Sequence, residues 1–345
     1  MKRKLSSLLL CLSLLLIAAG CGNSTNPGTS PNPSSSDGEV TKHSQVVFYF
    51  DTVVTMTVYT DDDNLLSDAA AECQRYEKML SRNIEGSDVW NINHANGKRV
   101  PVSEETRALL EQALEFSRIS NGRFDITIEP CVSLWDFTGE NIGVLPDPKA
   151  LAQAAEKVDW TKLDLNEEGV LLPAGMSIDL GAIAKGYISD RIADFLENRG
   201  VTSGLLNFGG NVRVIGTKPD GTLWRIGIQD PEGARDQSIV GVVNLAGNSV
   251  VTSGIYERGF YVDDICYHHI LDTNTGWSVQ NELAGISIVT EEACTGDALS
   301  TAVFAMGLTE GTAFIESLDG VDAIFVTRDG QVTWTSGLND RFTPQ

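Results

Sequence analysis

The sequence predicts a single α+β domain with mixed and antiparallel sheets and packed helices, and three observations lead to this fold class. β-Branched and aromatic residues run from Val46 to Thr60, and short strand-and-turn segments follow one another from Leu205 to Thr290. Other segments repeat apolar residues at helical spacing, and the two kinds of segment are interspersed without a regular βαβ repeat. Hydrophobic residues make up 42% of 345, which can supply a sizeable core and excludes disorder of the whole chain.

The first half of the domain is predicted to contain a strand region and three helices. Val46 to Thr60 is either one long strand or a hairpin-like pair. Apolar residues at helical spacing predict a helix from about Leu66 to Leu80, and Ser103 can cap another, so that a loop from Ser81 to Val102 separates them. Asp147 and Pro148 are predicted to open a short third helix that ends near Val158.

The second half is predicted to contain two further helical regions around the strands. Apolar spacing from Ala184 to Phe195 predicts a helix that Gly200 closes. A helix from about Asp297 to Met306 is stopped by Gly307 and followed by a helix that contains Phe314. The chain then closes with two strands, 322–328 and 331–335.

The N-terminus is predicted to be a targeting segment. Residues 1–20 combine Lys2, Arg3 and Lys4 with a short apolar run, and small residues precede Cys21, which resembles a bacterial lipobox. We therefore expect Cys21 to be lipidated and the protein to be anchored at the extracytoplasmic face of the cell membrane; the alternative is an ordinary cleaved signal. Residues 21–42 are rich in Ser, Pro, Asn and Gly and are predicted to form a flexible tether, which leaves 43–345 as the folded domain.

Charge and cysteine content narrow the classes of partner. The formal net charge is −22, and removal of the three cations of the signal takes it to −25. Such a chain repels nucleic acid, so any anionic ligand must be met by local positive groups or a metal. Outside the signal and Cys21, four cysteines (Cys73, Cys131, Cys266 and Cys294) are widely spaced, which argues against a zinc site and leaves disulfide pairing open.

The segment 178–190, IDLGAIAKGYISD, is a candidate phosphate site. It places Lys185 and Gly186 at the start of a predicted helix, whose free N–H groups can bind an anion. The alternative is an amphipathic helix with a Gly-rich start and a solvent-facing lysine.

Three other segments carry candidate ligand contacts. NFGGN, from Asn207, is a strand followed by a tight turn or bulge that could bring backbone near a ligand. VTSGIYERGFY, from Val251, combines strand, hydroxyl and turn residues. In YHHILDTNTGW, His268 and His269 are adjacent on a predicted strand, so at most one of them is expected to face a given site, and a buried structural histidine is the alternative.

A possible metal pair lies in CTGDALSTAVFAMG. Asp297 and Thr301 are four residues apart on a predicted helix, so both could reach one hard cation such as Mg²⁺. The alternative is that Asp297 caps the helix and the Thr301 hydroxyl bonds back to it.

Seven segments together resemble the ApbE family of FAD:protein FMN transferases, in the family's order, from about Val46 to the C-terminus. They are GRFDITIEP with LWDF, IDLGAIAKGY, NFGGN, WRIGIQDP, VTSGIYER, HHILDTNTG and TGDALSTA. The resemblance implies a flavin-binding α+β domain of the T-fold type. It also implies a Mg²⁺-dependent transfer of FMN from FAD to a Thr or Ser of an exported or membrane flavoprotein, with release of AMP.

The family's functional positions are matched residue by residue. Asp297, Thr301 and the backbone carbonyl of Ala182 match the metal ligands, with Ser300 as a weaker candidate. The resemblance implies that His269 helps to deprotonate the attacking hydroxyl; the alternative is that Asp297 does so through the metal. The positions that line the FAD site are Phe124, Asp125, Ile126, Asp179, Lys185, Asn207 and His269.

Two other functions use the same site, and one segment departs from the family. Water could replace the acceptor, which would give an FAD pyrophosphatase, or the chain could bind flavin without chemistry as a lipoprotein. The family shows Met-Gly-Thr near the first strand, where this chain has Phe50-Asp51-Thr52. Contacts from that strand to FAD are therefore not carried over.

Overall fold

The computed structural model describes residues 40–231, 233 and 238–345. The predicted signal 1–20, the lipidation site Cys21 and the tether up to residue 39 lie outside the described residues. The strands are β1 Thr41–Tyr49, β2 Thr52–Thr60, β3 Asp164–Asn166, β4 Gly169–Leu171, β5 Gly204–Phe208, β6 Asn211–Ile215, β7 Trp224–Gln229, β8 Ile239–Leu245, β9 Ser249–Gly254, β10 Gly259–Val262, β11 Ile265–His268, β12 Leu283–Thr290, β13 Asp322–Thr327, β14 Val332–Trp334 and β15 Phe342–Pro344. The helices are α1 Leu65–Leu80, α2 Asp88–His94, α3 Glu104–Ile119, α4 Glu129–Val132, α5 Pro148–Ala155, α6 Ala184–Glu197 and α7 Ala293–Glu316.

An eight-stranded antiparallel sheet organises the fold, with the order β1-β2-β5-β6-β9-β12-β13-β14. Helices α1, α6 and α7 cover one face, where Met56, Leu206 and Phe304 are fully buried in one core. A three-stranded sheet, β15-β8-β7, covers part of the other face over a second core that contains Val214 and Leu245. The predicted α+β class with antiparallel sheets is confirmed.

The first two strands form a hairpin, as one of the two sequence alternatives predicted. Phe50 and Asp51 make its two-residue turn, and both adopt positive φ, 55° and 54°, which strains residues that carry a Cβ. The hairpin begins at Thr41, five residues before the predicted Val46 and inside the predicted tether. Residues 41–45 are polar and gave no strand signal in the sequence. They form part of β1 because their backbone pairs with β2.

Most predicted helices are confirmed, and their caps are the expected ones. The Ser103 hydroxyl accepts the Thr106 N–H at 3.1 Å at the start of α3, and the Asp147 carboxylate accepts the Ala150 N–H at 2.8 Å at the start of α5. The predicted loop 81–102 is interrupted by α2, a correction: Ser87 caps this short helix through the Trp90 N–H. Seven residues are too few for a clear apolar period.

Helix α7 is long and apolar enough to cross a membrane by length and composition, with mean hydropathy 1.3. It packs instead against β9, β12 and α6, so it is a core helix of this domain. Gly307 interrupts it with φ 78°, as the sequence predicted. The apolar composition of α7 is therefore explained by its burial in the core of the domain.

The sequence left open whether the four cysteines form disulfides. In the structure all four are free thiols, and all are buried. Cys73 lies in the main core, fully inaccessible. Burial raises the pKa of the Cys73 thiol to about 12, so it stays protonated at neutral pH.

Helices α6 and α7 approach each other unusually closely at Gly186. A Cβ at Gly186 would lie 2.2 Å from the carbonyl oxygen of Ala293 and 2.8 Å from Cβ of Asp297. Both of those neighbours are buried backbone or near-backbone atoms, so they cannot move aside cheaply. Glycine is therefore required at position 186 for the two helices to meet.

We predict that Gly186→Ala destabilises the protein by about 1 to 3 kcal/mol, because overpacking separates α6 from α7. The usual gain of an alanine in a helix, about 1 kcal/mol, would act in the opposite direction. Urea unfolding measures the difference, with Glu197→Ala at an exposed position of the same helix as control. An unchanged or raised free energy of unfolding in Gly186→Ala would contradict the close approach.

Candidate active site

Asp297 is the centre of the site, a carboxylate only 3% exposed on the second turn of α7. Its Oδ2 accepts the Gly186 N–H at 2.9 Å, and its Oδ1 accepts from Asn211 Nδ2 at 2.9 Å. The Lys185 ammonium lies 3.4 Å from the same Oδ1. A buried carboxylate needs such donors, and here α6 and β6 supply them.

The Gly209–Gly210 turn brings Asn211 to this carboxylate. Both glycines have positive φ, 62° and 100°, which closes a two-residue hairpin between β5 and β6. Asn211 therefore stands opposite Phe208 on the sheet face that the helices cover, and it is 2% exposed. Sequence analysis named Asn207 in this motif and missed Asn211, although the two-glycine turn would have indicated its face.

Lys185 lies at the start of α6, where the sequence predicted it. Its ammonium donates to the carbonyl oxygen of Gly181 at 3.1 Å besides its contact with Asp297. A cation thus sits between a backbone carbonyl and a buried carboxylate. The alternative of a solvent-facing lysine on an amphipathic helix is not what the structure shows.

The predicted metal ligands fit a hard cation in their chemistry. Thr301 is half-buried one turn after Asp297, and Ala182 is half-buried in the turn before α6. Asp297 does not cap the helix, which starts at Ala293, and no hydrogen bond from the Thr301 hydroxyl is present in the described part of the chain. Within those residues no group of three or more His, Cys, Asp or Glu side chains could hold a metal. The predicted ligands are instead oxygen atoms with a single carboxylate, that of Asp297, and oxygen ligands suit a hard cation.

Ser300 is not brought to the carboxylate of Asp297. Its hydroxyl is fully buried, donates to the backbone oxygen of Asp297 at 2.8 Å and lies 2.8 Å from the Ser253 hydroxyl on β9. The side chain therefore ties α7 to the sheet.

The two histidines have different surroundings, as predicted, but only His268 lies on a strand, since β11 ends there and His269 follows it. His268 is fully buried, its Nε2 lies 2.9 Å from the Val279 carbonyl, and burial lowers its pKa to about 4. His269 is half-buried, and its ring lies beside the Arg258 carbonyl. Burial, followed by the positive surroundings that include Lys185 and Arg258, lowers its pKa to about 3, which keeps the imidazole neutral.

The backbone of Arg258 orients His269. The Arg258 carbonyl accepts the His269 N–H at 3.1 Å, and His269 Nδ1 lies 3.4 Å from the same oxygen. A carbonyl can only accept, so Nδ1 carries the hydrogen and Nε2 keeps a free lone pair. Such a neutral imidazole can take a proton.

The predicted flavin segment 124–126 has its side chains in the core. Phe124 and Ile126 are almost inaccessible, and the Asp125 carboxylate accepts from Thr127 N at 2.8 Å and Trp160 N at 3.0 Å. Burial raises the pKa of Asp125. These three side chains therefore hold the local backbone in place. The backbone carbonyl of Ile126 accepts a hydrogen bond from Asp179, another predicted site residue.

Asp179 joins that segment to the turn before α6. Its N–H donates to the Ile126 carbonyl at 2.8 Å, and its Oδ1 accepts the Gly181 N–H at 2.7 Å. Arg82 pairs with its Oδ2 at 3.3 Å. Asp179 thus fixes the backbone whose carbonyl, at Gly181, contacts Lys185.

Asn207 stands apart from Asp297. It pairs with Val212 on the sheet face opposite to that of Asn211, and its Oδ1 accepts the Gly210 N–H at 2.8 Å. The neighbouring departure from the family, Phe50-Asp51-Thr52, lies beside this turn: a Cβ at Gly209 would meet Thr52 Oγ1. Arg258 donates to the Asp51 carbonyl at 3.3 Å. The Phe50-Asp51 turn therefore contacts the residue whose backbone carbonyl orients His269.

Asp190 is a second buried acid that the sequence analysis did not single out. It lies on α6, and its two carboxylate oxygens accept the Ala293 and Cys294 N–H groups at 2.9 and 2.8 Å. Asp190 therefore caps α7 from a neighbouring helix and fixes the turn that precedes Asp297. Burial raises its pKa to about 6.

Comparison with known proteins agrees with this geometry. The ApbE family model matches residues 50–325. The chain belongs to the ApbE family. It is 36% identical over 313 residues to an FAD:protein FMN transferase from Klebsiella pneumoniae, covering 90% of this chain and 96% of the relative. Another FAD:protein FMN transferase, from Treponema pallidum, is 36% identical over 286 residues and 78% of either chain.

Solved ApbE structures share the fold. The ApbE protein from Thermotoga maritima superposes with a TM-score of 0.81 at 30% identity over 87% of this chain and 99% of its own. The apo flavinyl transferase ApbE from Pseudomonas stutzeri gives 0.77 at 29% identity over 88% and 97%. The family predicted from seven motifs is thereby confirmed, and the relatives' names match the predicted enzyme class.

We predict that the free energy of unfolding of Asp190→Asn, relative to that of the wild type, increases as the pH rises. The folded pKa of about 6 lies above the ordinary value, so ionisation of Asp190 costs the wild type stability as pH rises through that range, and the variant is spared this cost. Between pH 5 and pH 7.5 the difference in free energy of unfolding should move by about 1.5 kcal/mol toward the variant. Urea unfolding at the two pH values measures it, and a pH-independent difference would contradict the assignment.

Proposed function

We propose that the chain cleaves FAD and attaches FMN through a phosphoester to a Thr or Ser of an exported or membrane flavoprotein, with Mg²⁺ and with release of AMP. The observation that carries the proposal is the buried Asp297 carboxylate, held by α6 and β6 beside a lysine in an ApbE-family chain. We also propose that Cys21 anchors the chain by a lipid at the extracytoplasmic face.

Asp297, Thr301 and the Ala182 carbonyl would hold the metal ion. When bound, Mg²⁺ neutralises phosphate charge and stabilises the charge that develops on the oxygens in the transition state. The ligands lie on two helix-bearing segments that Gly186 locks together, so their spacing is set by the fold.

Positive groups of the chain itself receive the diphosphate. Lys185 provides a mobile cation at the N-terminus of α6, and its ammonium charge favours an anion. Such local groups are required because the mature chain carries a formal charge of −25 after removal of Lys2, Arg3 and Lys4.

In this proposal His269 accepts the proton of the acceptor hydroxyl at Nε2; the contact of its Nδ1–H with the Arg258 carbonyl supports this role. The hydroxyl oxygen bonds to the FMN phosphorus, the bond from that phosphorus to the bridging oxygen breaks, and AMP leaves with the electron pair. Water in place of the hydroxyl would release free FMN, which is the pyrophosphatase alternative.

The purified full chain in detergent, incubated with FAD, Mg²⁺ and an exported flavoprotein acceptor, tests the proposal. An FMN adduct on the acceptor, seen by intact mass and by flavin fluorescence on a denaturing gel, supports transfer. Free FMN and AMP without adduct would instead identify a pyrophosphatase, and unchanged bound FAD would identify a flavin-binding protein.

We predict that Asp297→Asn lowers the initial rate of adduct formation by about 100-fold or more, because the metal loses its single charged protein ligand. The amide keeps the shape of the side chain but sets an NH2 against one of the two donors, Gly186 N–H or Asn211 Nδ2, so a thermal melt of the variant is part of the measurement. Asp147→Asn is the matched control, since Asn caps α5 as well as Asp does. Near wild-type activity of Asp297→Asn would contradict a metal role for this residue.

A second prediction concerns pH. The pKa of His269 is lowered to about 3, so its neutral form persists well below the ordinary value of a histidine. The rate of adduct formation at saturating FAD and Mg²⁺ should therefore show no fall with a midpoint near 6.5 between pH 8 and pH 5.5. A midpoint near 6.5 that disappears in His269→Gln would show that His269 titrates normally.

A further inference from the structure

The ammonium group of Lys185 occupies a position that a metal ion would suit. Nζ lies 3.1 Å from the Gly181 carbonyl oxygen and 3.4 Å from Oδ1 of Asp297. A backbone carbonyl and a carboxylate are ligands that hard cations prefer, and Gly181 directly precedes Ala182. The lysine therefore shares Asp297 and the same turn with the proposed metal site.

The electrostatic need for a cation at this place is clear from burial. The Asp297 side chain is 4% exposed and that of Lys185 is 26% exposed. Gly186 and Asn211 give Asp297 hydrogen bonds but no positive charge. Among the described residues, Lys185 forms the ion pair with this acid, and a buried carboxylate without one is costly.

We propose that Lys185 fills the cation position of the metal-free protein and competes with the metal ion for Asp297. This inference rests on the proposed function in taking the divalent cation and the diphosphate of FAD as the ligands of the site. When the metal binds Asp297, the ammonium leaves the carboxylate and its charge becomes available to the diphosphate.

The exchange couples metal binding to FAD binding. A metal ion that arrives alone takes Asp297 from Lys185, whereas FAD offers the lysine its phosphates in exchange. Each ligand therefore raises the affinity for the other by the same factor. Metal binding without FAD is correspondingly weak, which limits occupation of the site by metal alone.

Manganese(II), which takes oxygen ligands as Mg²⁺ does, tests the competition on the full chain in detergent without FAD. The signal of free manganese in electron paramagnetic resonance gives its dissociation constant. We expect Lys185→Gln and Lys185→Met each to bind manganese about tenfold more tightly than the wild type, because a unit charge beside the ligand is gone. Lys185→Arg, which keeps a cation there, should stay within about twofold.

Two controls separate this effect from others. Lys149→Gln makes the same change in net charge at an exposed position of α5 and should leave the affinity near that of the wild type. Adding Asp297→Asn to Lys185→Gln should abolish the gain, which locates the manganese at Asp297. Thermal melting of each variant confirms that it is folded.

Unchanged manganese affinity in both neutral variants would overturn the proposal, as would an equal gain in Lys149→Gln or the lack of manganese binding in every variant. The titration contains no FAD and no acceptor. Failure of adduct formation by the wild type would therefore refute the proposed transferase without deciding the role of Lys185, and the titration would decide that role without testing transfer.

Discussion

The close contact of α6 and α7 at Gly186 is the constraint on which the site depends. Because Gly186 has no side chain, the Ala293 carbonyl and Asp297 Cβ can pack directly against its backbone. The Asp297 carboxylate then accepts the Gly186 N–H. Asp190 on α6 caps the start of α7 a turn earlier. The two helices are thus joined by hydrogen bonds from both directions. Asp297 consequently has one position relative to Lys185, which a loop could not guarantee.

The sheet adds a third fixed support from a different part of the chain. Because side chains alternate across a strand, the two-glycine turn determines that Asn211 and not Asn207 faces α7. Its amide then donates to Oδ1 of Asp297, while Gly186 of α6 donates to Oδ2. A carboxylate held by a helix N–H and a strand amide is pre-organised before any ligand arrives, so binding need not pay to order it.

Local patterns predicted the elements that local forces determine. The caps at Ser103 and Asp147 and the break at Gly307 follow from side-chain hydrogen bonds and backbone freedom near in sequence. The family motifs supplied Asp297, Thr301 and His269. What sequence could not supply is contact between distant segments: Asp190 capping a helix about 100 residues away, as its bond to Ala293 shows, the burial of Phe124, and the role of Asn211.

The distribution of charge bears on how so acidic a chain would hold the diphosphate of the proposed substrate. The formal net charge of −22 is spread over the chain, where solvent and salt screen it. At the site the decisive charges are one buried carboxylate and one lysine, and fields between buried groups are screened far less. A divalent cation at Asp297 would convert that local pair from neutral to positive by two charges. The affinity of this surface for a diphosphate then depends on what binds Asp297 and hardly on the net charge of the protein.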